Sequence, residues 1–209
     1  HKLLLEAHKM KLYYSPGTCS LSPQIALAEA GISVELIKVD LKAKTTAGGA
    51  DYLAINPKGY VPALQLDNGE VLTEGPAIVQ YVADLAPASN LAPAAGTLAR
   101  SRLQETLNFI STEIHKGFSP LFNQAAPAEW KVVVRDNLGK RFDYLSAWLE
   151  KQPYLQGETF TVADGYLFTV LGWCRWVDID LSKSPVLTAY CANIAERPKV
   201  KAALAAHKA

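Results

Sequence analysis

The sequence predicts an α/β domain followed by an all-α domain. Three observations carry this. Residues 11–40 run strand, turn, helix, strand, and Asn68-Gly69 between two apolar runs adds a hairpin. A Pro- and Ala-rich stretch, "APASNLAPAAGT" at 86–97, then breaks the pattern. Beyond it, apolar residues recur at helical spacing and strand-like alternation is missing. The expected halves are a domain of 10–86 and an all-helical domain of 98–209, joined by a linker over 87–97.

In order, "KLYYS" (11–15) reads as a short strand turned by "SPGT". Ser22-Pro23 then suits a helix start, with Ser as N-cap and Pro at the first helical position. That helix runs through "QIALAEA" to Gly31, an expected C-terminal cap. "VELIKVD" (34–40) is a second strand, and the polar 42–56 is a short helix or ordered loop. The hairpin covers 61–75, and "PAIVQYVADLA" follows as a helix. In the second half, helices are expected at about 98–118, 128–150, 162–177, 185–196 and 198–207. Thr161 and Asp164 form a capping box in its Asp variant, opening a helix that is apolar nearly all round. Its signal concerns folding rather than catalysis.

With 209 residues, 49% hydrophobic and 20% charged, the chain is long enough for a substantial core of ordinary composition. The nine residues before Met10, "HKLLLEAHK", read as a vector-derived extension, and "LLL" is too short for a signal core or a membrane span. Setting aside Lys2, Lys9 and Glu6 leaves 19 basic and 19 acidic residues, a balance that does not favour nucleic acid as a partner. Cys19, Cys174 and Cys191 are odd in number and unrelated in spacing, which excludes a disulfide framework and the common zinc patterns. A reducing cytoplasm is the expected location, with Cys19 as a free thiol.

Cys19 lies just before a helix, where unpaired N–H groups and the positive dipole end favour an anion and lower a thiol pKa. The alternative is a small buried hydrophobe, but Gly17, Ser20 and Ser22 make the surroundings polar. Cys174 in "GWCRWV" and Cys191 in "AYCANI" are flanked by apolar residues and read as inert. Position 22 is Ser where a thiol redox motif would carry its second Cys, so Cys19 cannot close a disulfide within the motif. A solitary activated thiol completes its chemistry with an external one, which points to a low-molecular-weight thiol such as glutathione.

Three further stretches fit such a ligand. In "NPKGYVPALQL" (56–66), a cis Val61–Pro62 bond would turn the Val61 N–H and C=O towards a peptide-like ligand. Glu74-Gly75 stands at a helix start, an end that suits a carboxylate, with Glu74 available to an α-amino group. On the helix 98–118, Leu103, Leu107, Ile110, Ile114 and Phe118 form an apolar stripe. Asn108, Thr112 and His115, with Lys116 and Ser119, form a polar stripe beside it, which is either a solvated face or one turned towards a site.

Taken together, "MKLYYSPGTCSLSP", "NPKGYVPALQL", "LTEGPAIVQY", "EIHKGFSPLF" and "FTVADGYLFTVLGW" resemble a bacterial beta-class glutathione S-transferase, over essentially all of 10–209. The resemblance implies a thioredoxin-like first domain, an all-helical second domain and a homodimer. It also implies glutathione as co-substrate without a metal, a small hydrophobic electrophile, and no nucleic-acid or membrane partner. It places Cys19 beside the glutathione sulfur, with Ser20 as an auxiliary donor. Lys44 meets the glycine end, Val61 pairs with the ligand backbone, and Glu74 and Gly75 hold the γ-glutamyl group. Asn108, Thr112, His115 and Lys116 close the site from the helical domain or its dimer mate. Tyr14 corresponds to the thiol-activating tyrosine of other transferase classes, whereas Cys19 takes the sulfur position here. The rival readings are a glutathione-dependent thiol–disulfide or reductive dehalogenating enzyme, and a non-catalytic module that has kept the fold.

Overall fold

The computed structural model describes residues 10–208, so the extension expected at 1–9 lies outside the described residues. The first half contains β1 (Lys11–Tyr14), α1 (Leu21–Ala30), β2 (Glu35–Asp40), β3 (Thr45–Thr46), α2 (Tyr52–Ile55), β4 (Ala63–Gln65), β5 (Val71–Thr73) and α3 (Gly75–Leu85). The sheet order is β3-β2-β1-β4-β5, with β1 and β2 parallel and the remaining pairs antiparallel. Side-chain alternation gives the sheet two apolar faces. Leu12 opposite Leu64 packs on Ile25, Leu27 and Ile78, while Tyr13 opposite Ala63 packs with Val39, Tyr52 and Val61.

Local signals set several boundaries. Gly31 ends α1 at φ 69, and Gly69 turns the hairpin at φ 87 with Leu66 N–H on the Glu70 carbonyl at 2.8 Å. The helix bearing the cysteine motif begins earlier than the sequence suggested, at Leu21 rather than after Ser22. Pro23 therefore lies at the third helical position, still within the first turn, where a missing N–H is tolerated. Ser22 Oγ is buried without a hydrogen-bond partner, so it caps nothing.

The second half comprises α4 (Leu98–Phe109), α5 (Lys116–Phe122), α6 (Ala128–Leu149), α7 (Val162–Leu171), α8 (Pro185–Ala195) and α9 (Pro198–Lys208). Two expected helices differ in form. The one at 98–118 is interrupted by a π-helical turn over Ile110–His115 and continues to Phe122, and the one at 162–177 tightens to 3-10 over Gly172–Trp176. The capping box is present: Thr161 N–H donates to Asp164 Oδ2 at 2.8 Å. Leu155 N–H and the Tyr190 hydroxyl also donate to Oδ1, each at 2.8 Å, so the buried carboxyl is fully engaged.

The two halves share one core. α1 packs against α3, α7 and α9, and Gly165 on α7 lets the helices approach so closely that a Cβ there would lie 3.2 Å from Ile25. At the linker, Arg100 pairs with Asp84 of α3 and donates to the Pro93 carbonyl at 2.8 Å. Among the described residues, no helix is long and apolar enough to cross a membrane, and no group of three or more His, Cys, Asp or Glu could hold a metal ion.

Candidate active site

A cleft of about 460 Å3 lies between the halves. Its first-half wall comes from Gly17–Cys19, Lys58, Val61, Glu74 and Gly75, and its second-half wall from Ser111, His115, Lys116, Phe118 and four further aromatic residues.

The Cys19 thiol is half-buried and donates to the Val61 carbonyl at 3.4 Å, across a Val61–Pro62 bond that is cis. Burial pushes the thiol up to about 11, its own N–H and Lys116 oppose this, and Glu74 adds to it. The lowered pKa expected from the helix start is therefore corrected to a raised one. The N–H groups of Leu21, Ser22 and Gln24 are already taken by the carbonyls of Thr18, Cys19 and Ser20. The helix start has little left to offer a thiolate, and burial decides the sign.

At the polar end, Glu74 is the N-cap residue of α3 with φ 68 and ψ 112, a conformation that side-chain-bearing residues seldom adopt. Glu74 thus lines the cleft beside the helix N-terminus. Lys58 Nζ meets Glu74 Oε1 at 2.6 Å and Thr73 Oγ1 at 2.9 Å.

His115 closes the π-helical turn. Its Nδ1 lies 2.6 Å from the Tyr166 hydroxyl. Burial lowers the imidazole to about 4, with Lys116 acting in the same direction, while burial raises the Tyr166 phenol well above its ordinary value. Both groups are neutral near pH 7, and the phenol O–H is the better donor and the imidazole nitrogen the better acceptor, so the hydrogen bond is assigned with Tyr166 donating and Nδ1 accepting. The remaining imidazole proton is thereby assigned to Nε2, leaving His115 with an N–H to offer. Trp173 packs edge-on to His115 at 4.9 Å and to Phe118 and Phe122 at 5.7 and 5.8 Å. Trp176, held under Arg175 at 4.5 Å, completes an aromatic wall.

The family model of the glutathione S-transferase N-terminal domain matches residues 8–84, and that of the glutathione S-transferase C-terminal domain matches 109–198. Glutathione S-transferase GstA of Escherichia coli O157:H7 is 46% identical over 197 residues, covering 94% of this chain and 98% of the relative. The chain belongs to the glutathione S-transferase family. Two solved structures resemble it closely. A sphingomonad glutathione S-transferase complexed with glutathione superposes with TM-score 0.92 at 48% identity, covering 95% of this chain and 98% of that one. A beta-class glutathione S-transferase from Sphingomonas chungbukensis gives 0.91 at 47% identity, covering 94% and 98%.

Within this glutathione S-transferase fold, Cys19, Val61, Glu74, Gly75, His115 and Lys116 converge on the cleft. Four other residues expected at the site do not line it. Ser20 is fully buried, with its hydroxyl 2.7 Å from that of Thr18 and 3.3 Å from the Ser15 carbonyl, so it braces the loop. Lys44 Nζ is tied to the Gly59 carbonyl at 2.8 Å. Asn108 and Thr112 are exposed outside the cleft, where the Thr112 hydroxyl donates back to the Asn108 carbonyl. Conversely, sequence reasoning missed Lys58, Tyr166, Trp173 and Trp176. The last three come from the segment read as purely structural, which in fact builds much of the cleft. Two tryptophans in five residues, "GWCRW", were the available signal.

Proposed function

We propose that the protein conjugates the glutathione thiolate to small hydrophobic electrophiles. The observation that carries this is a cleft polar at one end and aromatic at the other, with a hydrogen-bond donor, His115, between them. Glu74, with Lys58 beside it, suits the ammonium and carboxylate of a γ-glutamyl group, the carboxylate resting on the N-terminus of α3. Val61 pairs with the ligand backbone, and Cys19 lies beside the ligand sulfur. His115 and Lys116 stabilise the thiolate, which attacks an electrophilic carbon held against the aromatic wall. A Cys19 thiol pushed up to about 11 favours this over thiol exchange as the main activity, because it is neutral near pH 7. The protein is expected to be retained on immobilised glutathione and to conjugate it to an aryl halide faster than the uncatalysed reaction. Absence of both retention and conjugation would refute the reading.

The working unit in this reading is a homodimer in the cytoplasm, serving detoxification. Leu98, 73% exposed and outside the cleft, is apolar surface that a second copy would cover. Asn108 and Thr112, outside their own cleft, would then face the partner's. Light scattering at micromolar concentration should give twice the chain mass, and a monomer mass would count against it. The domain limits 10–86 and 98–209, with a linker over 87–97, belong to the same reading.

A further inference from the structure

We propose that the C-terminal helix belongs to the thiol site at one remove: His207 of α9, acting through Gly17, is a positioning residue that fixes the loop bearing Cys19. Gly17 stands two residues before Cys19, and both its backbone polar groups are held by side chains from the second half. Its N–H donates to His207 Nε2 at 3.1 Å, and its carbonyl accepts from Trp173 Nε1–H at 3.1 Å.

The loop has little freedom to compensate if one of these contacts is lost. Gly17 holds φ 77, and a Cβ there would come within 3.1 Å of the Trp176 ring. The same imidazole reaches two more elements around Cys19. Because Nε2 accepts, its proton sits on Nδ1, which donates to Gln24 Oε1 on α1 at 2.9 Å. Its ring also packs against Tyr14, at the end of β1, with centroids 5.6 Å apart. One side chain, 4% exposed, thus ties together the strand before the cysteine, the loop itself and the helix after it. Burial lowers His207 to about 4, so the acceptor at Nε2 persists near neutral pH.

The functional consequence follows from where Cys19 sits. Releasing Gly17 frees the loop that holds the thiol against the Val61 carbonyl, in the wall where the ligand sulfur is proposed to bind. Trp173 keeps its ring contacts with His115, Phe118 and Phe122 when its bond to Gly17 loosens, so the larger effect should fall on glutathione rather than on the electrophile.

The test compares His207→Leu, His207→Gln and Val200→Ala. Leu removes the acceptor, Gln restores an acceptor near the position of Nε2, and Val200→Ala loosens α9 at a fully buried site without touching the loop. His207→Leu is expected to alkylate Cys19 with iodoacetamide about tenfold faster at fixed pH, located by peptide mass. It should raise the glutathione KM about tenfold while kcat and the aryl halide KM stay within about twofold. His207→Gln should return both readouts to within about threefold of the parent, and Val200→Ala should lower the melting temperature without moving either. Parent-like behaviour of His207→Leu, failure of Gln to rescue, or the same changes in Val200→Ala would overturn the proposal. The parent protein supplies a measurement that needs no variant: the Gly17 amide should exchange at least about a hundredfold more slowly than an unstructured amide. Unprotected exchange there would also overturn it. Only the kinetic comparison rests on the glutathione reading. If the parent fails to bind glutathione, that reading falls, while alkylation and exchange still decide the role of His207.

Discussion

Alkylation of Cys19 is expected to accelerate about tenfold for each pH unit from about pH 7 to about pH 10, without a plateau in that range. The thiolate is the reacting species. Burial penalises it, and the thiol is pushed up to about 11. Below its pKa, the thiolate fraction rises tenfold per unit, so the cumulative effect approaches a thousandfold. A thiol activated by a helix start would behave in the opposite way, having levelled off above a pKa of about 4 to 7. Rates of modification at Cys19, followed by peptide mass across this range, distinguish the two. A plateau reached near pH 7 would mean that the helix start governs the thiol after all.

That contrast marks where the sequence was legible. Order along the chain shows that Cys19 precedes a helix, and this is correct. It does not show that the first amides of that helix are already bonded to the carbonyls of residues 18, 19 and 20, or how deeply the sulfur is packed. Features set by a few adjacent residues were readable: Gly31 as a cap, Asn68-Gly69 as a turn, Thr161 with Asp164 as a capping box. Val61, Glu74 and His115 could be placed at a site because each lies in a short motif of distinctive composition. Tyr166 was not readable, because it stands in a helix apolar nearly all round and its partner is 51 residues away. The polar stripe is divided between the cleft and the outer surface for a related reason. It assumed a uniform 3.6-residue period, whereas the π-helical turn at Ile110–His115 changes the phase, bringing Ser111 and His115 to the cleft and leaving Asn108 and Thr112 outside. Lys58 was overlooked because a lone lysine before a glycine resembles any solvated turn residue.

The remaining large effect separates Cys19 from His115. Replacing Cys19 by Ala is expected to leave a measurable part of the conjugation while abolishing the mixed disulfide with glutathione. Disulfide formation requires Cys19: its thiolate attacks one sulfur of oxidised glutathione, a new S–S bond forms, and the other half leaves as a glutathione thiolate. Conjugation requires only that the glutathione thiolate be stabilised, and His115 still supplies a donor when Cys19 is gone. His115→Ala should therefore lower conjugation by a factor of roughly 10 to 100, the lower range for one positioned proton-transfer or anion-stabilising group. Tyr166→Phe should lower it less, because the imidazole then loses the hydrogen bond that holds its proton on Nε2 while keeping the ring in place. Since His115 is lowered to about 4, it carries no charge to lose near neutrality, and the conjugation rate should show no inflection between about pH 6 and pH 7 from this residue. Steady-state rates across that range for the parent and three variants, with intact mass after exposure to oxidised glutathione, test each step. If Cys19→Ala abolished conjugation with the fold intact, the protein thiol itself would carry the transfer, and the donor role assigned to His115 would have to be given up.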